Sequence, residues 1–83
     1  MPVGLTGDGL ELSVLKKAEK EDVWIVRIIE TAGRESTGSL ELNGTITECD
    51  LMELKDIGVP EPVKGETQVS LSPFEIKTYK ITP

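Results

Sequence analysis

The feature that most constrains the fold of this 83-residue chain is the run Val23-Trp24-Ile25-Val26-Arg27-Ile28-Ile29-Glu30, closed by Thr31-Ala32-Gly33-Arg34. β-Branched residues dominate it, and their stiff side chains suit a pleated surface. With a period of two, Trp24, Val26 and Ile28 point one way, while Val23, Ile25 and Ile29 point the other with Arg27 among them. Both faces are largely apolar. This predicts a strand covered on both sides, either internal to a sheet or packed on a neighbouring domain. Asp22 and Gly33 are the punctuation expected at its ends.

The rest of the chain reads as further short strands. Asp8-Gly9 opens an element in which Leu10, Leu12 and Val14 alternate with Glu11 and Ser13. The charge run Lys16 to Asp22 reads as a solvated hairpin loop, although Leu12, Leu15 and Ala18 also fall at helical spacing. Ala32 to Gly38 is loop, and Ser39 to Leu42 is a third strand. Asn43-Gly44 follows, a pair that tolerates φ > 0 at both positions, and it predicts a two-residue type I′ hairpin into Thr45–Cys49. Asp50 to Lys55 fits a short helix as well as a crossover strand. Asp56 to Gly65, with Gly58, Pro60 and Pro62, reads as an extended connection. Gln68–Leu71 is a short strand and Ser72-Pro73 a turn. Phe74 to Ile81 is a last strand, with Phe74 and Ile76 on one face and Tyr79 and Ile81 on the other. Six or seven short strands at a spacing of about 8–12 residues predict an all-β fold. The architecture expected is a small antiparallel β-sandwich, immunoglobulin-like, forming a single domain over residues 1–83.

Composition removes several functions. The net charge is −6, with two arginines and three aromatic residues, which argues against nucleic-acid binding. No apolar stretch nears the roughly 20 residues of a membrane helix. Met1 to Gly7 has neither a basic nor an apolar segment of the signal-peptide kind. Cys49 is the only cysteine, so no internal disulfide forms, and a reducing, cytoplasmic location is expected. The chain has no histidine. That removes the commonest general base and every Ser-His or Cys-His arrangement.

The remaining candidates for chemistry are weak. Glu48, Asp50, Glu53 and Glu75 could supply a glycosidase pair, but such a pair needs a cleft holding two carboxyl groups about 5–5.5 Å apart. Nothing in the sequence indicates that cleft, so these residues read as solvated charge. Gly7-Asp8-Gly9 and Glu19 to Asp22 are oxygen-rich but follow no calcium-loop pattern. Trp24 and Tyr79 could stack on a sugar, yet a tryptophan inside an apolar strand is better read as core or domain interface. Asn43-Gly44-Thr45 is a glycosylation sequon only in a secreted protein.

Four blocks carry a resemblance: Leu15-Lys16-Lys17-Ala18-Glu19, Val26-Arg27-Ile28-Ile29-Glu30-Thr31-Ala32-Gly33-Arg34, Cys49-Asp50-Leu51-Met52-Glu53 and Leu71-Ser72-Pro73-Phe74-Glu75-Ile76-Lys77-Thr78. In order and spacing the chain resembles the C-terminal end of the α-mannosidases of glycoside hydrolase family 38. The resemblance implies a β-sandwich that belongs to a large multidomain enzyme. It implies that the catalytic part, with its zinc ion and aspartate nucleophile, retains configuration at the α-mannosidic bond and lies outside these residues. It therefore implies no catalytic residue and no cofactor in this chain. The expected role is a non-catalytic accessory domain that packs on and stabilises the catalytic part, with carbohydrate contact conceivable at the rim. An independent carbohydrate-binding or protein-interaction module is the alternative. Arg27, Glu30, Gly33 and Arg34 are the candidates for an interface or cleft rim. Arg27 and Glu30 stand three apart on a strand and so lie on opposite faces, where they cannot pair with each other. An apolar patch exposed at the docking face is also expected, because both faces of the run are apolar.

Overall fold

A computed structural model describes residues 3–18, 22–52 and 55–83. Six strands follow in chain order: β1 (Gly4–Thr6), β2 (Leu10–Lys17), β3 (Trp24–Glu30), β4 (Ser36–Cys49), β5 (Glu61–Leu71) and β6 (Ile76–Thr82). All their pairings are antiparallel, in the order β1-β4-β6-β3-β2, with β5 also on β4. The architecture is the expected all-β sandwich, built on one long strand.

That strand is β4. At about 3.3 Å per residue its 14 residues would stretch about 43 Å if straight, longer than the 35 Å long axis of the molecule. It must bend, and the change of partner marks where. Ser39–Glu41 pair with β1, whereas Thr45–Cys49 pair with β6. The first half thus forms one layer with β1 and β5, and the second half joins β6, β3 and β2.

The bend falls at Asn43-Gly44, which is not the hairpin turn that its sequence predicts. Both residues lie inside β4 and pair with Lys64 and Val63 of β5. Gly44 has φ of 149°, and a Cβ there would sit 2.5 Å from the backbone oxygen of Thr82. The glycine is required because the chain bends hard against β6. Asn43 supports the crossing, its side-chain oxygen accepting from Gly65 N at 3.0 Å.

Other boundaries also move. β5 runs unbroken from Glu61 through Pro62 and Gly65, where the sequence suggests a connection. Its Pro62 is tolerated because β5 pairs on one side only, with β4, and a missing N–H on an open edge breaks no ladder bond. In β2 the register shifts between Leu12 and Val14, a bulge at Ser13. The bulge puts Val14 opposite Arg27 and Leu15 opposite Val26, so the simple alternation through Val14 does not hold. β2 extends to Lys17, into the charge run; Glu19, Lys20 and Glu21 lie outside the described residues. Residues 51–52 form a turn rather than a helix, and Glu53 and Leu54 lie outside the described residues.

The core lies between the layers. Val26, Ile28, Leu40 and Ile81 are fully buried there with Leu42, Ile46, Val63, Val69, Leu71 and Tyr79. Each such aliphatic side chain contributes about 1.5–3 kcal/mol by leaving water. Trp24 packs partly buried against this cluster, in keeping with its place in the apolar run. On the opposite face of β3 and β4, Ile25 and Cys49 are buried outside the cluster. There the segment after β4 folds back: Arg27 Nη2 donates to Leu51 O at 2.9 Å, and Lys80 Nζ meets Asp56 Oδ1 at 2.8 Å.

Gly44→Ala is expected to destabilise the domain by roughly 2–4 kcal/mol, since it combines backbone strain with a clash that only β6 could relieve. Gly65→Ala is the control, having φ of 99° with nothing within 4 Å of the added Cβ. It should lose only about 1 kcal/mol. Urea unfolding of both variants checks the ranking.

Candidate functional site

Strand direction gathers three loops at one end of the sandwich: residues 7–9, 31–35 and 72–75. The β3 run ends there in Glu30, whose side chain is fully buried. An isolated buried carboxylate is costly, and this one is surrounded by donors. Oε1 accepts from the backbone N of Gly33 at 2.7 Å, Phe74 at 3.0 Å and Arg34 at 3.2 Å. Oε2 accepts from Ala32 N and from Ser36 Oγ, each at 2.9 Å. Backbone bonds complete the junction: Glu30 N donates to Glu75 O at 2.9 Å, and Thr31 N donates to Gly9 O at 2.8 Å.

The local sequence makes this possible. Gly33 takes φ of 77°, which turns successive N–H groups of the loop inward on the anion. The turn 72–75 is closed by Glu75 N donating to Ser72 O at 3.0 Å and by Ser72 N donating to Glu75 Oε1 at 2.9 Å. It places Phe74 at φ of 58°, the one non-glycine residue with positive φ among the described residues. Phe74 therefore belongs to a turn, and the last strand begins at Ile76 rather than at Phe74.

Burial opposes ionisation of Glu30. The backbone N–H groups of Phe74 and Ala32, the Ser36 hydroxyl and the Gly33 N–H outweigh it and hold the pKa down to about 2, against an ordinary 4.5. Tyr79 moves the other way. Burial, then the carboxylates of Glu48 and Glu75, push its phenol up to about 12.

The four sequence candidates occupy distinct places. Glu30 faces inward, so it reaches the surface only through the loop that it organises. Gly33 and Arg34 belong to that loop and are exposed. Arg27 lies elsewhere, on the face under the segment after β4, and its Nε donates to Thr78 Oγ1 at 3.1 Å. Glu30, Gly33 and Arg34 are thus brought together and Arg27 is not. Sequence reasoning missed Phe74 and Ser36 as partners of Glu30. The available signal was the turn set Ser72-Pro73-Phe74-Glu75, whose ends bond each other, but nothing in it reveals a phenylalanine in the left-handed region.

Among the described residues no three His, Cys, Asp or Glu side chains are gathered as a metal site. The shallow pocket lined by Glu48, Glu61, Gln68 and Tyr79 sits beside the β4–β6 pairing, away from Glu30. The site is an anchoring centre: one fixed anion that ties the loops 31–35 and 72–75 to the start of β4, with the loop 7–9 joined beside it through Thr31 N and Gly9 O.

Such a fold, with strands closed over one core and loops ordered at its end, defines a β-sandwich module. Residues 9–79 match the model of the glycosyl hydrolases family 38 C-terminal beta sandwich domain, and the chain belongs to that family. No curated protein matches the chain in sequence.

Replacing Glu30 tests the centre. Glu30→Gln should unfold at lower urea than the wild type at pH 7, because the amide replaces one acceptor oxygen with an NH2 donor where donors already converge. The folded pKa lies below the unfolded one, so the charge stabilises the fold above about 4.5 and that contribution disappears as pH falls toward about 2. The gap between wild type and variant should close across that window. Tyr79 gives the opposite sign. Its contribution is intact below the unfolded value of 10.0 and is lost as pH rises toward about 12, where absorbance titration should show the native phenol ionising.

Proposed function

We propose that this chain is the non-catalytic accessory domain of an α-mannosidase, packing on the catalytic part and stabilising it. The observation that carries this reading is the family match across residues 9–79. The site supports it, because the one buried carboxylate among the described residues is satisfied by five donors of the fold itself. A group so held neither transfers a proton near neutral pH nor faces a ligand. The zinc ion and nucleophile of such an enzyme then belong to its catalytic part. The residues present do not fit a zinc site, with no histidine in the chain and no clustered ligands among the described residues. Exposed apolar side chains such as Met52, Val59 and Phe74 supply material for a domain contact. An independent carbohydrate-binding role is less well served, since Tyr79 is buried and Trp24 is packed on the core.

The test removes this domain from the intact enzyme. The truncated enzyme should keep its zinc site but inactivate at a lower temperature than the full-length enzyme. Equal inactivation temperatures would defeat the proposal. Calorimetric titration of this chain with mannose and α-mannobiose should give no heat, and a binding isotherm would favour the module instead.

A further inference from the structure

We infer that the pocket between β4, β5 and β6 binds a small organic cation, a guanidinium or ammonium group on a short aliphatic chain. The site lies away from Glu30, and it goes beyond the accessory-domain role without depending on it.

The strands build the pocket from three sides. It encloses about 220 Å³. Sites for drug-sized ligands run from roughly 300 to 1,000 Å³, so what fits here is smaller. Ile46 of β4 and Val69 of β5, both buried, give it apolar wall. Tyr79 of β6 also lines it, with its ring in the core cluster and only 9% of the residue exposed. Glu48 stands opposite Tyr79 in the β4–β6 ladder, and Glu61 opens β5. These two bring carboxylates to the pocket, and Thr67 brings a hydroxyl.

The fold leaves these polar groups unused. The Tyr79 hydroxyl has no hydrogen-bond partner among the described residues. It is not sealed from solvent either, since no fully buried side-chain oxygen of those residues lacks a partner. A residue so deeply buried reaches solvent where it lines an opening, which directs the hydroxyl into the pocket. The side chains of Glu48, Glu61 and Thr67 likewise hold no hydrogen bond or ion pair among the described residues. The contrast is with Glu30, which five donors of the fold satisfy. Buried polar groups without internal partners call for a ligand that supplies them.

The chemistry of the lining selects that ligand. No lysine or arginine lines the pocket, and the whole chain carries a net charge of −6. Two carboxylates and two hydroxyl oxygens accept hydrogen bonds, so the complement is a positive group rich in N–H donors. A planar guanidinium meets several acceptors at once, and an aliphatic stem covers Ile46 and Val69. A metal ion is a poorer match, because no three ligating side chains are gathered among the described residues. Burial and the Glu48 carboxylate keep the Tyr79 phenol protonated at neutral pH, where its oxygen can still accept from the ligand.

The experiment titrates the 83-residue chain with butylguanidinium at pH 7 and follows by NMR the ring protons of Tyr79, the one tyrosine in the sequence. Those signals should shift to saturation with a Kd of about 1 mM, in reach of so small a ligand. Butylurea, nearly the same shape without the charge, should bind about 10-fold more weakly or not at all. Calorimetry should show Tyr79→Phe weakening butylguanidinium by about 5-fold, and Glu48→Gln and Glu61→Gln by about 10-fold each. Glu11→Gln removes an exposed carboxylate from β2 and should change the Kd by less than about twofold. Urea unfolding shows which variants keep the fold, and Glu61, exposed at the start of β5, gives a variant that removes no buried side chain. Absence of a saturable Tyr79 shift up to about 10 mM would overturn the inference. Equal affinity for butylurea would remove the cation from it and overturn it as well. A loss in Glu11→Gln as large as in Glu48→Gln would show only general attraction to an acidic surface, and the site would fall.

Discussion

The structure depends on a buried negative charge. Glu30 closes the most apolar strand of the chain, where an unpaired carboxylate would be intolerable. It is stable because two loops bring it backbone N–H groups and Ser36, at the start of β4, brings a hydroxyl. The dependence is mutual, since without the anion those N–H groups would point at one another. A net hydrogen bond to a neutral partner adds little, but charged acceptors hold their donors more strongly. The result is an end of the sandwich where the loops 31–35 and 72–75 converge on one charge.

The second constraint is the bend of β4. A sandwich of this size has a thin core and needs its two layers held in register. Most sandwiches join layers by loops. This one uses a strand that leaves one layer and enters the other, turning on Gly44 where β6 passes too close for any side chain. Pairing of β5 along Ser36–Ile46 carries the ladder across the bend.

The sequence made some of this legible and concealed the rest for physical reasons. The Val23–Glu30 run announced β3 through its β-branched residues and two apolar faces, and Val26, Ile28 and Ile25 are buried as that pattern requires. The sandwich class was legible in the same way, and so was the shared face of Tyr79 and Ile81, which the structure buries. Asn43-Gly44 misled because positive φ serves a turn and a bend equally, and only the strand passing behind Gly44 decides between them. The bulge at Ser13 was hidden since alternation cannot show one extra residue. β1, three residues long, carries too little pattern to notice. At the site, the loop chemistry around Gly33 was readable. That a glutamate between isoleucine and threonine turns inward, and meets Phe74 from 44 residues away, was not.

The crossing of β4 also bears on how the chain reaches its native state. Its partners β1, β5 and β6 come from both ends of the sequence. Neither layer can be completed from neighbouring segments, so loops must close before the ladder forms, which makes assembly slow for so short a polypeptide. The same linkage leaves no half of the molecule able to persist by itself. Acquisition of order is expected to be all-or-none, with the strand that serves both layers among the last regions to lose protection against hydrogen exchange.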